Sequence, residues 1–171
     1  MKKFIIVFIF FVITSNSFAE NKIVYLDVSL LLNESIVGQN LNKKLKEINN
    51  KNITEFKTIE TNIKKEDDDL LKKKNILSKE EYEKEIVLLK KKYKSFQNLM
   101  KEKNIKLNKL KGESAKLILK NINEIISEYS TKNSISMIVE KKSIIIGKSE
   151  LNITNDILDL LNKKIKKIEL Q

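Results

Sequence analysis

The residues best equipped for chemistry in this chain are carboxylates and lysines. Glu66-Asp67-Asp68-Asp69 sets four carboxylates in a row, and Lys72-Lys73-Lys74 and Lys90-Lys91-Lys92 form two ammonium triplets nearby. Calcium takes oxygen ligands, but four consecutive residues of a helix point in different directions, and this run lacks the glycine turn and alternating ligands of a calcium loop. It reads as a solvated helical face partnered by neighbouring Lys. The 171 residues include no His, Cys, Pro or Trp. Their absence removes thiol nucleophiles, imidazole bases, Cys/His zinc centres and disulfides together, so no enzyme activity, cofactor or metal is expected. Asn33-Glu34-Ser35, Asn52-Ile53-Thr54 and Asn152-Ile153-Thr154 match the glycosylation tripeptide and are read as chance matches.

Charge offers a second route to function. The chain carries 34 basic residues, all Lys, against 23 acids. Without Arg it lacks the bidentate readers of guanine and phosphate, and acids are interleaved with the Lys. Nucleic-acid binding would therefore be nonspecific and lost with salt, and no specific nucleic-acid partner is expected.

Three elements must position these side chains. The first is an address: Lys2 and Lys3, ten apolar residues from Phe4 to Ile13, and a polar stretch ending Ser17-Phe18-Ala19. This predicts a signal peptide over 1–19, cleaved near Ala19, because the apolar run is shorter than the roughly 20 residues a membrane span needs. The product is expected to be soluble and outside the cytoplasm.

The second element is a long antiparallel helical hairpin over 35–131 with its tip near 75–79. Tyr82, Ile86, Leu89, Tyr93, Phe96, Met100, Lys103, Leu107, Leu110, Ser114 and Leu117 repeat at alternating steps of four and three, the mark of a coiled-coil seam. The phase then slips by one residue to Ile118, Ile122, Ile125 and Tyr129. Leu41, Leu45, Ile48, Asn52, Phe56, Ile59, Ile63, Glu66 and Leu70 form the opposing seam. Between the two, Ser78 and Glu81 make a capping box, so a new helix starts at about Lys79. Folding the halves together sets Ile59 opposite Phe96 and Leu45 opposite Leu110, and it brings the polar positions Asn52 and Lys103 into one layer. Gly38 and Gly112 are candidate hinges.

The third element is a small domain formed by residues 20–34 and 132–171. Lys22–Asp27, Ile135–Glu140 and Ser143–Gly147 read as short strands, and Ile157, Leu158, Leu160, Leu161, Ile165 and Ile168 as the apolar face of a final helix. The fold class is thus α+β, predominantly α-helical. Three strands and one helix make a thin core with unpaired edges, which self-association would complete. Ile23, Val24, Tyr25, Leu26, Ile138, Val139, Ile144 and Ile145 are the expected assembly residues, by burial and strand pairing.

Lys22-Ile23-Val24-Tyr25-Leu26-Asp27 with Leu31 and Leu32, then the long hairpin, then Ile138-Val139 and Leu151-Asn152-Ile153-Thr154 through Ile157-Leu158-Leu161-Asn162, resemble the Skp/OmpH family of periplasmic chaperones in order and spacing. The resemblance spans essentially the whole mature chain. It implies a homotrimer whose small domains form a shared body, with three hairpins around a cavity that holds unfolded outer-membrane β-barrel proteins without ATP. The expected activity is that of a holdase in transit to the outer membrane.

The charge of the arms fits this expectation. Residues 35–75 carry 10 Lys against 7 acids, and residues 79–131 carry 13 Lys against 8. Basic arms favour fast, salt-sensitive capture of acidic unfolded chains. Lys72, Lys73, Lys74, Lys90, Lys91 and Lys92 are the expected contacts to a client or to an anionic lipid or lipopolysaccharide surface. A solvated coiled-coil face is the plainer alternative for all six. The competing class for the whole chain is a secreted coiled-coil tether for one folded partner.

Overall fold

The computed structural model describes residues 22–168. The predicted signal segment, 1–19, lies outside them. Strand β1 (Lys22–Leu26) leads into α1 (Val28–Glu34), α2 (Ile36–Lys73), α3 (Lys79–Lys132), β2 (Ile135–Glu140) and α4 (Thr154–Lys164), with single 3₁₀ turns at Lys141–Ser143 and Ser149–Leu151.

Local signals set the breaks between helices. Asp27 caps α1 by accepting a hydrogen bond from the Leu30 N–H at 2.9 Å. Ser35 ends α1 and caps α2, its hydroxyl accepting from the Gly38 N–H at 3.1 Å. The bend there is tight: a Cβ on Gly38 would lie 1.9 Å from the Leu32 carbonyl oxygen. Gly38 is therefore required by close backbone approach, which argues against its reading as a hinge. At the hairpin turn the capping box forms as expected. The Glu81 N–H donates to the Ser78 hydroxyl at 3.3 Å, and the Glu81 carboxylate accepts from the Ser78 backbone at 3.0 Å.

α2 and α3 pack as an arm. At 1.5 Å per residue, the 38 residues of α2 span roughly 57 Å and the 54 of α3 roughly 81 Å. The longer helix therefore runs past its partner into the base of the molecule. Here Ile118, Ile122 and Ile125 join Val24, Leu26, Leu31, Val37, Leu41, Leu45, Ile153, Ile157 and Leu161 in one buried core. The one-residue phase slip after Leu117 thus marks where α3 stops facing only α2 and starts to pack on α1 and α4 as well.

The sheet has two parallel strands, and the whole arm is the crossover between them. Ile23 pairs with Met137, Val24 with Ile138, Tyr25 with Val139 and Leu26 with Glu140. On its other edge β1 meets a single bridge from Tyr25 to Asn152, where the Ile153 N–H donates to the Tyr25 carbonyl at 2.9 Å.

The third strand predicted at Ser143–Gly147 does not form. A 3₁₀ turn ends at Ser143, and the following residues run without ladder partners among the described residues. Both sides of β1 are already occupied, by β2 and by the Asn152 bridge, and the chain turns away at Lys141–Ser143 before it can pair on the outer edge of β2. β-branched propensity does not by itself make a strand.

Candidate functional site

Two surfaces stand out, one on the sheet and one along the arm. Side chains alternate across a strand, so Val24 and Leu26 turn into the core while Ile23 and Tyr25 face the other side. The strand register puts Met137 and Val139 on that same outer face. Tyr25 is covered there by the loop after β2, with the Gly147 backbone against its ring. Ile23 remains 47% exposed and Met137 56%, and on the loop Ile145 is fully exposed and Ile146 91% exposed.

Of the eight predicted assembly residues, Val24 and Leu26 belong to the chain's own core, and Ile138 packs against it. Tyr25 is buried under the loop. Ile23, Val139, Ile144 and Ile145 lie on or beside the outer face, Val139 and Ile144 half-buried. Sequence reasoning missed Met137 and Ile146. Strand alternation from Ile23 would have found Met137, since the two are register partners. Ile23 and Met137 on the outer sheet face, with Ile145 and Ile146 on the loop that covers Tyr25, are large apolar side chains left exposed at the base.

The arm is held together thinly. Phe56 meets Phe96 edge-on, with ring centroids 6.2 Å apart and planes at 73°. Near the tip only Leu70 is buried, and Ile76 at the turn is 80% exposed. Asn52 is buried at mid-arm, and Lys103 donates to Glu55, one turn further along α2, at 2.8 Å. Polar groups from both helices thus meet at mid-arm, where Lys103 is paired with Glu55 across the seam. A second bridge, Lys92 to Glu66 at 2.6 Å, ties the helices nearer the tip.

These contacts sort the six predicted contact lysines. Lys92 is committed to Glu66, and Lys72 to Asp69 at 3.0 Å along α2. The second pair holds the Asp69 carboxyl below its ordinary range and the Lys72 ammonium above its own. Among the described residues Lys73, Lys74, Lys90 and Lys91 make no ion pair, so these four present free ammonium groups. The acidic run is partly used by this network, through Glu66 and Asp69. No group of three or more potential metal ligands occurs among the described residues.

The arm is anchored at its base by polar links to α4. Glu124 and Lys164 pair at 2.8 Å, and that hydrogen bond holds the Glu124 carboxyl below its usual range. Tyr129 donates to Asp156 at 2.5 Å. This bond, with burial and the nearby carboxylate charge, pushes the Tyr129 phenol up to about 12. No helix among the described residues is long and apolar enough to cross a membrane.

Comparison with known proteins places this architecture. The chain is similar in fold to the crystal structure of a candidate OmpH-like outer membrane chaperone from Caulobacter crescentus CB15. The TM-score is 0.81 at 16% identity, over 86% of this chain and 88% of that one. A search of curated protein sequences returned no match. The model of the family described as outer membrane protein (OmpH-like) matches residues 22–161, nearly all of the described chain. The chain belongs to the OmpH-like outer membrane protein family.

Proposed function

We propose that this protein is an ATP-independent periplasmic holdase that binds unfolded outer-membrane β-barrel proteins and keeps them from aggregating on their way to the membrane. The observation that carries the reading is a long basic arm, with little core of its own, rooted in a small body whose outer sheet face is apolar and only partly covered, by the loop after β2. Such a body gains stability by associating with copies of itself, which would gather several arms around one client. The homotrimer implied by the family resemblance satisfies this need. Ile23, Met137, Ile145 and Ile146 would lie at its interface, with the signal segment removed near Ala19. Lys73, Lys74, Lys90 and Lys91 are the free charges with which the arms would meet a client, or an anionic lipid or lipopolysaccharide surface.

The test is light scattering as a urea-unfolded outer-membrane β-barrel is diluted into buffer of about 0.15 M salt, where surface electrostatics is screened beyond roughly 8 Å. Purified residues 20–171 are present in one sample and absent from another, and a third sample adds excess duplex DNA. Suppression of scattering that DNA does not reverse supports the holdase. No suppression by a folded, helical chain moves the reading to a tether for one folded partner. Size-exclusion chromatography with multi-angle scattering gives the oligomer. Met137→Lys together with Ile145→Lys should dissociate it, and an unchanged mass would remove the sheet face as the interface.

A further inference from the structure

Charge is unevenly distributed along the arm. Residues 86–111 of α3 carry nine Lys and one Glu, and residues 39–65 of α2 carry seven Lys and three Glu. The tip, residues 66–85, reverses the balance with eight acids against five Lys. The arm is thus basic in its middle and acidic at its end.

At the border between these zones an open surface groove of about 570 Å³ runs along the seam of the two helices. Ile59, Ile63, Leu88, Phe96 and Leu99 make its apolar wall, and the small, exposed Ser95 lines it as well. Lys91 and Lys92 stand on the rim. Lys92 is neutralised by Glu66, which also lines the groove, whereas Lys91 makes no ion pair among the described residues. A side chain entering this groove meets apolar surface, with an uncompensated ammonium beside it.

We infer that the groove is a discrete client-binding site, which takes an aromatic or aliphatic side chain of an unfolded segment flanked by carboxylates. The inference deepens the holdase reading and rests on it. The apolar wall supplies affinity for the anchoring side chain, and Lys91 with the mid-arm lysines selects carboxylates on either side of it. The acidic tip repels the same carboxylates, so the bound segment extends from the groove toward the base of the arm. The site would catch short stretches of many sequences, since it requires one anchor and local negative charge rather than a fixed motif.

The probe is a short fluorescein-labelled peptide of Glu, Ser and a single Phe, followed by fluorescence anisotropy with the full mature protein at low salt. Two control peptides replace Phe by Ala, or every Glu by Lys. Each control should bind about tenfold more weakly or worse, the loss expected for one buried apolar anchor or for the local charge. Ser95→Trp, which fills the groove from an exposed position, and Lys91→Glu, which reverses the rim charge, should each weaken the parent peptide by about tenfold with far-UV circular dichroism unchanged. Amide chemical-shift changes should fall within residues 59–66 and 88–99.

Equal binding of all three peptides, indifference of both variants, or shifts confined to the tip or the sheet face would each overturn the inference. The β-barrel scattering assay on the same samples separates the two claims. Wild-type suppression with an indifferent Ser95→Trp leaves the holdase standing and removes the groove. Absence of wild-type suppression removes the holdase, while the peptide titration still decides whether the groove binds.

Discussion

The base and the arm of this molecule are made from the same few apolar residue types, yet they bury them differently. At the base, Ile122, Ile157 and Leu161 are almost fully enclosed by side chains from α1, α3, α4 and β1. Along the arm only two helices meet, and of the central seam Phe96 alone among the apolar residues is fully buried. A helix with one neighbour can cover only one stripe of its surface, so the arm holds its shape with much less burial per residue. Stability should therefore be concentrated at the base, and the arm should open locally without unfolding the whole molecule.

The most severe way to break this contrast is to empty the base. Ile122→Ala should cost about 2–5 kcal/mol in urea unfolding, because the site is enclosed on all sides and cannot collapse freely. A loss confined to the arm, with the base still protected from hydrogen exchange, would contradict it. Gly38→Ala comes next, at about 1–3 kcal/mol or more, since the added methyl meets the Leu32 carbonyl rather than a movable side chain.

Removing the cap at the far end should act only locally. Ser78→Ala is expected to cost about 1 kcal/mol, seen as faster amide exchange in the first turns of α3 with the protection of Ile122 and Leu161 unchanged. Gly112→Ala should go the other way, stabilising by about 0.5–1 kcal/mol, because a Cβ there meets nothing within 4 Å and the helix gains propensity. If Gly112 is the arm's hinge, the same variant should also stiffen the arm. Unchanged arm mobility by spin-label distance measurements would remove that role.

The gentlest probe is pH. Tyr129 keeps its proton more tightly in the folded chain than in the unfolded one, so its contribution is complete below pH 10 and lost as pH rises from there through about 12. Tyr129→Phe should flatten that part of the stability profile. An identical alkaline limb in the two proteins would show that the bond to Asp156 does not anchor the arm to α4.

The arm was largely legible in the sequence, and the base was not. Ser78 and Glu81 lie three residues apart, so their reciprocal capping is a local property that any chain carrying them can form. The alternating seam from Tyr82 to Leu110 likewise needs only helical periodicity, and matching two seams sufficed to place Ile59 near Phe96. Even there the ion pair of Lys103 with Glu55 was not foreseen, because Glu55 lies off the seam and a long flexible side chain can reach a turn beyond its own layer. At the base, α1 was overlooked although Asp27 caps it, since Leu30-Leu31-Leu32 is too short to display a helical period. Ile144-Ile145-Ile146 was read as a strand on β-branched propensity alone.

Helix, hairpin, basic charge and the exclusion of thiol, imidazole and disulfide chemistry follow from residue types and from spacings of a few positions, which act within one turn of chain. Which residues of β1 face inward, and that Ile145 ends exposed instead of in a sheet, depend on elements more than a hundred residues apart, such as β1 beside β2 and Asn152. Those contacts exist only once the arm has folded back and returned the end of the chain to its beginning. Packing among several neighbours, unlike periodicity along one helix, is a property of that closed arrangement.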